Sequence, residues 1–524
     1  MTPDPESAPN GGARRAAGPE LPAASGTPRR VADQRTFSSS LGWTVLGTLL
    51  PGLGLWRSGR RVVGALVLAL FVLLVGGAAT LYLTNQKLAQ NLALQPGTLQ
   101  GIAIALLVVA VVWVVVIGVS HLSLRPANPT VGQRAAGALV VGVLSFVVAA
   151  PMAVGANVAW TVGSLMDNVL GDDEGPNATK PTLNPVDPWK DKPQLNFLIL
   201  GGDSGNDRSK TLGDRTDTVI VASIDTHTGA TTLFTLPRNT ARMPFPKDSP
   251  LRHYYPNGFY DGADWRNAEY FLNAMYRNAP AQVRDHSILG KTKNFAADVM
   301  KVSVGEALGL DLDYYILVNM DGFKDFVNAI GGITVNVNYR VPIGGQTDQG
   351  VKPHGYIEPG PNQHLNGRLA LWYARGRYGL DDYKRMERQR CVINAVVQQS
   401  TPATVLQNFQ AIAAAGEKSI VTDVPRTLLP DLLDVGVKVK GTKLRSVVFT
   451  PSTGFNSGNP DWADVRKKVR KALKETASGV QPKPSATATP SGSSSPSSKP
   501  TKKPTAKAKS DDLEATCGYH PEKP

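Results

Sequence analysis

The chain is 524 residues long and carries a formal net charge of +14. That length calls for more than one structural unit. Its apolar residues gather in long runs that begin well inside the chain, which argues against a cleaved signal peptide and predicts a membrane anchor.

Residues 1–40 are rich in Pro, Gly, Ala and Arg and are predicted to be disordered and cytoplasmic. A membrane unit is expected over 41–170. Its first run, Leu41–Trp56, is weak and broken by Pro51. Arg29, Arg30 and Arg35 precede it, and Arg57, Arg60 and Arg61 follow it. Positive charge on both flanks keeps both in the cytoplasm and predicts a re-entrant or interfacial segment. Val62–Leu83, Ile102–Leu124 and Ala135–Trp160 are almost free of charge. Each supplies the roughly 20 apolar residues that a helical span needs. Three spans from a cytoplasmic amino terminus place everything after Leu170 outside. The loop Thr84–Gln100, with one lysine, is then external, and the loop holding Arg125 and Arg134 internal. A fourth span would reverse this topology.

Residues 171–194 are acidic and then proline-rich, as an external linker is. A domain follows over 195–475. Asn196–Leu200 reads as a buried strand opening into Gly201-Gly202-Asp203. Thr218–Ile224, Thr231–Leu236, Tyr314–Val318, Ile333–Val337 and Arg445–Phe449 read as further strands. Helical spacing marks Ala268–Arg277, Phe295–Leu308, Gly322–Ala329, Leu365–Ala374, Arg385–Gln399, Val405–Ala414 and Trp462–Leu473. Alternating strands and helices predict a layered α/β domain. Residues 476–524 form a Ser/Pro/Thr/Lys-rich tail predicted to be disordered and able to meet anionic wall polymers or lipid heads. The last stretch, Asp511–Pro524, departs from that composition. It holds Cys517, one of two cysteines; Cys391 is the other. On the predicted outer side the pair is either a disulfide or two free thiols.

Two features carry chemistry. The first is an arginine cluster over Leu365–Gln399. Arg375 and Arg377 precede an aspartate pair, and Arg385, Arg388, Gln389 and Arg390 follow it. The planar guanidinium fork suits bidentate recognition of phosphate, so the cluster reads as a phosphate or pyrophosphate clamp or as a solvated basic face. The second is a set of carboxylates at strand ends, Asp203 and Asp217, with Arg215 alternating with Asp217 so as to face the same phosphates. They suit a hard divalent ion shared with substrate phosphates, or they are ordinary turn residues. Gly202-Asp203-Ser204-Gly205 looks like a trypsin-type nucleophile segment, but the only upstream histidine, His121, lies at a membrane edge. A Walker phosphate loop, a Gly-x-Ser-x-Gly elbow and a His-Glu-x-x-His motif are all missing, and the seven scattered histidines argue against zinc.

Taken together, Asn196–Asp203, Arg215-Thr216-Asp217-Thr218, Leu236-Pro237-Arg238, Leu272–Tyr276, Gly331–Val335 and Leu365–Gln389 resemble the LytR-CpsA-Psr family of cell-wall glycopolymer transferases. The resemblance covers Leu195 to Leu473. It implies a central sheet between helices and a deep apolar pocket for a polyprenyl chain, lined by helices such as Phe295–Leu308 and Val392–Val397. The implied reaction transfers a glycan phosphate from a polyprenyl-pyrophosphate carrier to peptidoglycan. Asp203 and Asp217 would hold Mg2+. Arg215, Arg238, Arg375, Arg377, Arg385 and Gln389 would bind pyrophosphate, and Arg215, Arg238 and Asp382 would act in catalysis. Asp381 stands beside Asp382, and the choice rests on alignment to Arg385.

The chain departs from the family pattern at Asn239, at Arg277-Asn278-Ala279-Pro280, and in lacking a lysine just before Asn273, with Arg266 and Arg277 as the candidate substitutes. The resemblance leaves two other readings open: a polyprenyl-pyrophosphate phosphatase, and a non-catalytic lipid-glycan scaffold. The predicted topology, with the basic domain outside, argues against a nucleic-acid partner.

Overall fold

The computed structural model describes residues 36–85, 97–169, 179–184, 187–202, 215–264, 266–400, 408, 411–412, 415, 420–479 and 511–521. Asp203, the predicted helix Val405–Ala414, most of the Thr84–Gln100 loop, and most of the amino-terminal segment and the tail lie outside the described residues.

The chain divides into two compact units, Met1–Val75 with Val111–Ala149, and Gly76–Ala110 with Ala150–Pro524. The first opens with helices α1 (Phe37–Leu49) and α2 (Leu53–Arg57). Thr36 caps α1 by accepting from the Ser39 amide. At 13 and 5 residues, neither is long enough alone to cross a bilayer. The turn between them needs glycine: Gly52 has a φ of 102°, and a Cβ there would stand 2.2 Å from the Gly64 carbonyl oxygen. The Trp113 indole donates to the Thr48 carbonyl at 3.1 Å, and Thr44 Oγ1 meets His121 Nδ1 at 3.2 Å.

Helices α3 (Arg61–Thr84), α4 (Thr98–Leu124) and α5 (Val131–Val169) contain the three predicted spans, and each is long and apolar enough to cross a membrane.

In the second unit the chain alternates strands and helices. In order these are β1 (Gln194–Gly202), β2 (Thr216–Asp225), β3 (Thr231–Thr235), α6 (Leu272–Gln282), α7 (Phe295–Leu308) and β4 (Tyr314–Val318). Then come α8 (Met320–Ala329), β5 (Ile333–Val337), β6 (Val341–Gln346), β7 (Val351–Ile357), β8 (Gly360–Leu365) and α9 (Gly367–Arg375). The series ends with α10 (Asp382–Gln399), β9 (Ile420–Thr422), α11 (Leu429–Lys440), β10 (Arg445–Val448), α12 (Trp462–Ala477), β11 (Asp511–Asp512) and α13 (Leu513–Thr516).

Seven strands form one sheet in the order β11-β10-β3-β2-β1-β4-β9. Strand β1 pairs antiparallel with β2 and parallel with β4. Its side chains alternate between two cores, as the two-residue period of a strand requires. Leu198 and Leu200 enter a core built with α6, α7 and α12. Leu195 and Phe197 enter the opposite one, built with α11. The α/β expectation of a sheet between helices therefore holds. Strand pairs β5–β8 and β6–β7 stand apart from the large sheet, and a third core joins them to α8, α9 and α10.

Three expectations change. Ala268–Arg277 is not one helix. Asn267 caps a short 3-10 turn over Ala268–Tyr270, Phe271 is extended, and α6 starts only at Leu272. Helix α7 does not line a channel: it is packed in the core on the far face of the sheet. The end of the predicted disordered tail is docked. Strand β11 pairs with β10, Leu513 is fully buried, and Cys517 is bonded to Cys391 across 126 residues of sequence.

Candidate active site

The sheet's topology gathers the site. Because β1 and β2 are antiparallel, the end of β1 adjoins the start of β2, with Gly202 opposite Thr216. Strand β3 runs back so that the chain leaves it beside the start of β2, delivering Arg238 to Asp217. Strand β4 is parallel to β1 and ends beside it, Val318 opposite Gly201. These strand ends open into a cavity of about 670 Å³.

Its floor is a cross-strand row on one face of the sheet, Ile220, Ile199 and Ile316, set side by side by the registers. Phe323 and Phe326 of α8, Leu371 and Ala374 of α9, and Val392, Ile393, Val396 and Val397 of α10 complete the apolar walls. Its polar lining includes Arg215, Asp217, Arg238, Asn273, Arg375, Arg377, Arg385 and Gln389. A glycine at 201 keeps this passage clear, since a Cβ there would press to 2.9 Å from Thr218 Cβ.

The charged side chains interlock. Arg238 Nη1 donates to Asp217 Oδ1 at 2.9 Å, and its Nε lies 3.3 Å from Asp382 Oδ1. Arg385 grips the same Asp382 through Nε at 3.0 Å and Nη2 at 2.9 Å. Asn273 adds a donor to Asp217 Oδ1 at 3.1 Å. Asp217–Arg238–Asp382–Arg385 is thus a chain of alternating sign. Burial by itself would raise the Asp217 carboxyl, but Arg238 and Arg385, with the hydrogen bonds from Asn273 and Arg238, hold it below the usual carboxylate range. Burial would lower Arg238, and Asp217 and Asp382 outweigh it and raise it.

The paired aspartates take different places on α10. Asp381 is the N-cap of α10 and accepts from the Lys384 amide at 2.8 Å. Asp382 is the residue that meets Arg238 and Arg385. Arg375 ends α9, stacks over Trp372 with 5.2 Å to the ring centre, and reaches Met320 Sδ at 2.8 Å. Two arginines of the sequence cluster turn away. Arg388 is buried against the Gly376 carbonyl beside the rings of Tyr339 and Tyr373. Arg390 donates to Ser446 Oγ at 2.7 Å on the sheet.

One contact had no sequence signal. Glu269 takes hydrogen bonds from both Arg215, which lines the cavity, and Arg277, which with Arg266 lies outside the lining.

Magnesium beside phosphates keeps several waters and takes one or two carboxylates. Asp217 is about one-third exposed, and both of its hydrogen bonds fall on Oδ1. Among the described residues no group of three His, Cys, Asp or Glu side chains could hold a metal by protein ligands alone. The hard oxygen donor therefore fits an ion held jointly with substrate phosphates.

Residues 166–477 match the LytR_cpsA_psr family. The chain is similar to the polyisoprenyl-teichoic acid–peptidoglycan teichoic acid transferase TagU of Enterococcus faecalis, 27% identical over 60% of this chain and 88% of that protein. It is 28% identical to the corresponding transferase TagV of Bacillus subtilis over 40% of this chain and 57% of that protein. The crystal structure of B. subtilis TagV superposes with a TM-score of 0.38, 25% identity, and coverage of 55% of this chain and 98% of that one.

Proposed function

The chain belongs to the LytR_cpsA_psr family, and on that footing we propose that it transfers a glycopolymer phosphate from a polyprenyl-pyrophosphate carrier to peptidoglycan. The observation that carries this reading is a single cavity, apolar along its floor and lined by five arginines as well. That is the complement of an amphiphile: a hydrocarbon chain ending in a diphosphate. A water-soluble nucleotide would leave the isoleucine row and the two phenylalanines without a partner.

In the reaction a hydroxyl of the peptidoglycan sugar attacks the phosphorus that bears the glycan. A new P–O bond forms, the bond to the polyprenyl phosphate breaks, and the hydroxyl proton passes to a carboxylate, Asp382. Arg215, Arg238, Arg375, Arg377 and Arg385, with Gln389, spread the charge growing on the leaving phosphate. Fixed donors of this kind carry most of the work in phosphoryl transfer. Magnesium held at Asp217, with Asp203 as its second carboxylate, would neutralise phosphate charge. The apolar cavity holds the lipid and excludes water, which favours transfer over hydrolysis.

We place the domain on the outer side of a three-span anchor. The span count and the Cys391–Cys517 disulfide support this, because such bonds persist in oxidising compartments.

The test is to incubate the full chain in detergent with polyprenyl-pyrophosphate glycan, peptidoglycan fragments and Mg2+, beside Arg375→Ala. Joined glycan–peptidoglycan that falls by about 10²-fold in the variant supports the transferase. Polyprenyl phosphate released with no joined product means hydrolysis. Lipid binding with no reaction under any metal means a scaffold.

A further inference from the structure

Glu269 lies in the 3-10 turn ahead of α6, where Asn267 accepts from its amide at 3.1 Å. Its carboxylate is gripped on both oxygens. Oε1 accepts from Arg215 Nη2, and Oε2 accepts from Arg277 Nη2. Asn278 Nδ2 adds a third donor to Oε2 at 2.8 Å, and its carbonyl oxygen in turn accepts from Arg277 Nε at 2.9 Å. Two guanidinium forks and an amide thus converge on one anion. The Glu269 carboxyl lies below the usual range, with the Asn278 hydrogen bond the main cause and Arg215 and Arg277 adding to it.

This arrangement is what a phosphoryl group would ask for, since guanidinium forks match phosphate as well as carboxylate. It also differs from the rest of the ring. Arg238 is held by Asp217 and Asp382, whose side chains are 34% and 26% exposed, whereas Glu269 is 47% exposed. A half-exposed carboxylate can swing into water with little loss, because exposed ion pairs are weak. Arg215 lines the cavity, and Arg277 and Asn278, outside the lining, are joined to it through Glu269.

We propose that Arg277 and Asn278 form with Arg215 a subsite that extends the cavity's arginine cluster, that the diphosphate of the lipid carrier is its ligand, and that Glu269 is a built-in competitor which leaves when the diphosphate arrives. The proposal rests on the polyprenyl-pyrophosphate reading above. A diphosphate brings more charge and more oxygens than one carboxylate, so it displaces Glu269 instead of adding to it. Carriers with a single phosphate compete less well, and the subsite thereby favours the loaded carrier over the spent one.

The test is calorimetric titration of the full chain in detergent with inorganic pyrophosphate and with farnesyl diphosphate, at fixed salt and magnesium. Glu269→Gln keeps the shape and removes the charge. It is expected to tighten both ligands by about threefold to tenfold, the loss of two weak competing ion pairs. Adding Arg277→Ala to Glu269→Gln should reverse most of that gain. In turnover, Glu269→Gln should lower KM for the lipid diphosphate with little change in kcat. Affinity that is unchanged or weaker in Glu269→Gln overturns the subsite. If the wild-type chain binds both ligands and Arg375→Ala lowers the yield of joined product in that case, the carrier reading stands without it. If the wild-type chain binds neither ligand, both fall together.

Discussion

Lys301 is the residue whose removal the structure makes most consequential outside the site. It sits on α7 with its side chain fully buried. Its Nζ donates to Asp423 Oδ2 at 2.7 Å and to the Asp313 carbonyl at 3.0 Å, and Asp298 Oδ1 is 3.9 Å away. Lys192 pairs with Asp313 at 2.6 Å. Three buried carboxylates thus face two ammonium groups. Burial pushes Asp423 and Asp313 up even with these partners in place. In Lys301→Met, Asp423 loses its cation and escapes by taking a proton. Protonating a carboxyl of ordinary pKa at pH 7 costs about 4 kcal/mol, three units at about 1.4 kcal/mol each. That bound agrees with the roughly 3–5 kcal/mol of a broken buried pair. At roughly 2 °C per kcal/mol for a domain of this size, the near-UV circular dichroism melt of the full chain in detergent should fall by about 8 °C at pH 7. The orphaned carboxyl has a folded pKa above its unfolded value. Its contribution is therefore present below the unfolded pKa near 4 and is lost as pH rises through the folded one. The deficit should shrink by up to about 2.7 kcal/mol between pH 7 and pH 5. Asp423→Asn added to Lys301→Met should recover part of it. A variant that melts with the wild type at pH 7, or whose deficit grows on acidification, refutes the reasoning.

Other expectations follow from the same geometry. Val396→Asp puts a charge in the apolar wall and should weaken farnesyl diphosphate by more than about tenfold while leaving inorganic pyrophosphate unchanged, as titration would show. Cys517→Ser opens a loop of 126 residues, whose closure entropy reaches about 5 kcal/mol in the chain-entropy account. It should lower the melt and make it insensitive to reductant, whereas reductant should lower that of the wild type; equal melts would show that the docked end holds without its bond. The Asp217 carboxyl is depressed, so its contribution is present above the unfolded pKa near 4 and lost only as pH falls through its lower folded value. Pyrophosphate affinity should thus change little from about pH 5 to about pH 8 on its account. Asp217→Asn should remove the magnesium dependence of that affinity.

The strands that carry the site were legible because their apolar residues come in short runs between turn signals. β1, β2, β3, β4, β5 and β10 all stand where those runs predict. Strand β8, Gly360–Leu365, reads Gly-Pro-Asn-Gln-His-Leu, and β9 has three residues. Neither has a period to detect, because pairing with a neighbour makes them strands. The arginine cluster was legible as charge but not as direction. The helical period, applied to α10, sorts it. Arg385, Gln389, Val392 or Ile393, and Val396 fall on one stripe and line the cavity, whereas Arg388 and Arg390 lie off it and serve packing. The same limit explains α7. It is buried nearly all round, and a helix of that kind announces that it is covered, not which face of the sheet covers it. Only the register of β1, which sends Leu198 and Leu200 to one face and Phe197 and Ile199 to the other, decides that α7 joins the first core and α10 roofs the cavity on the second.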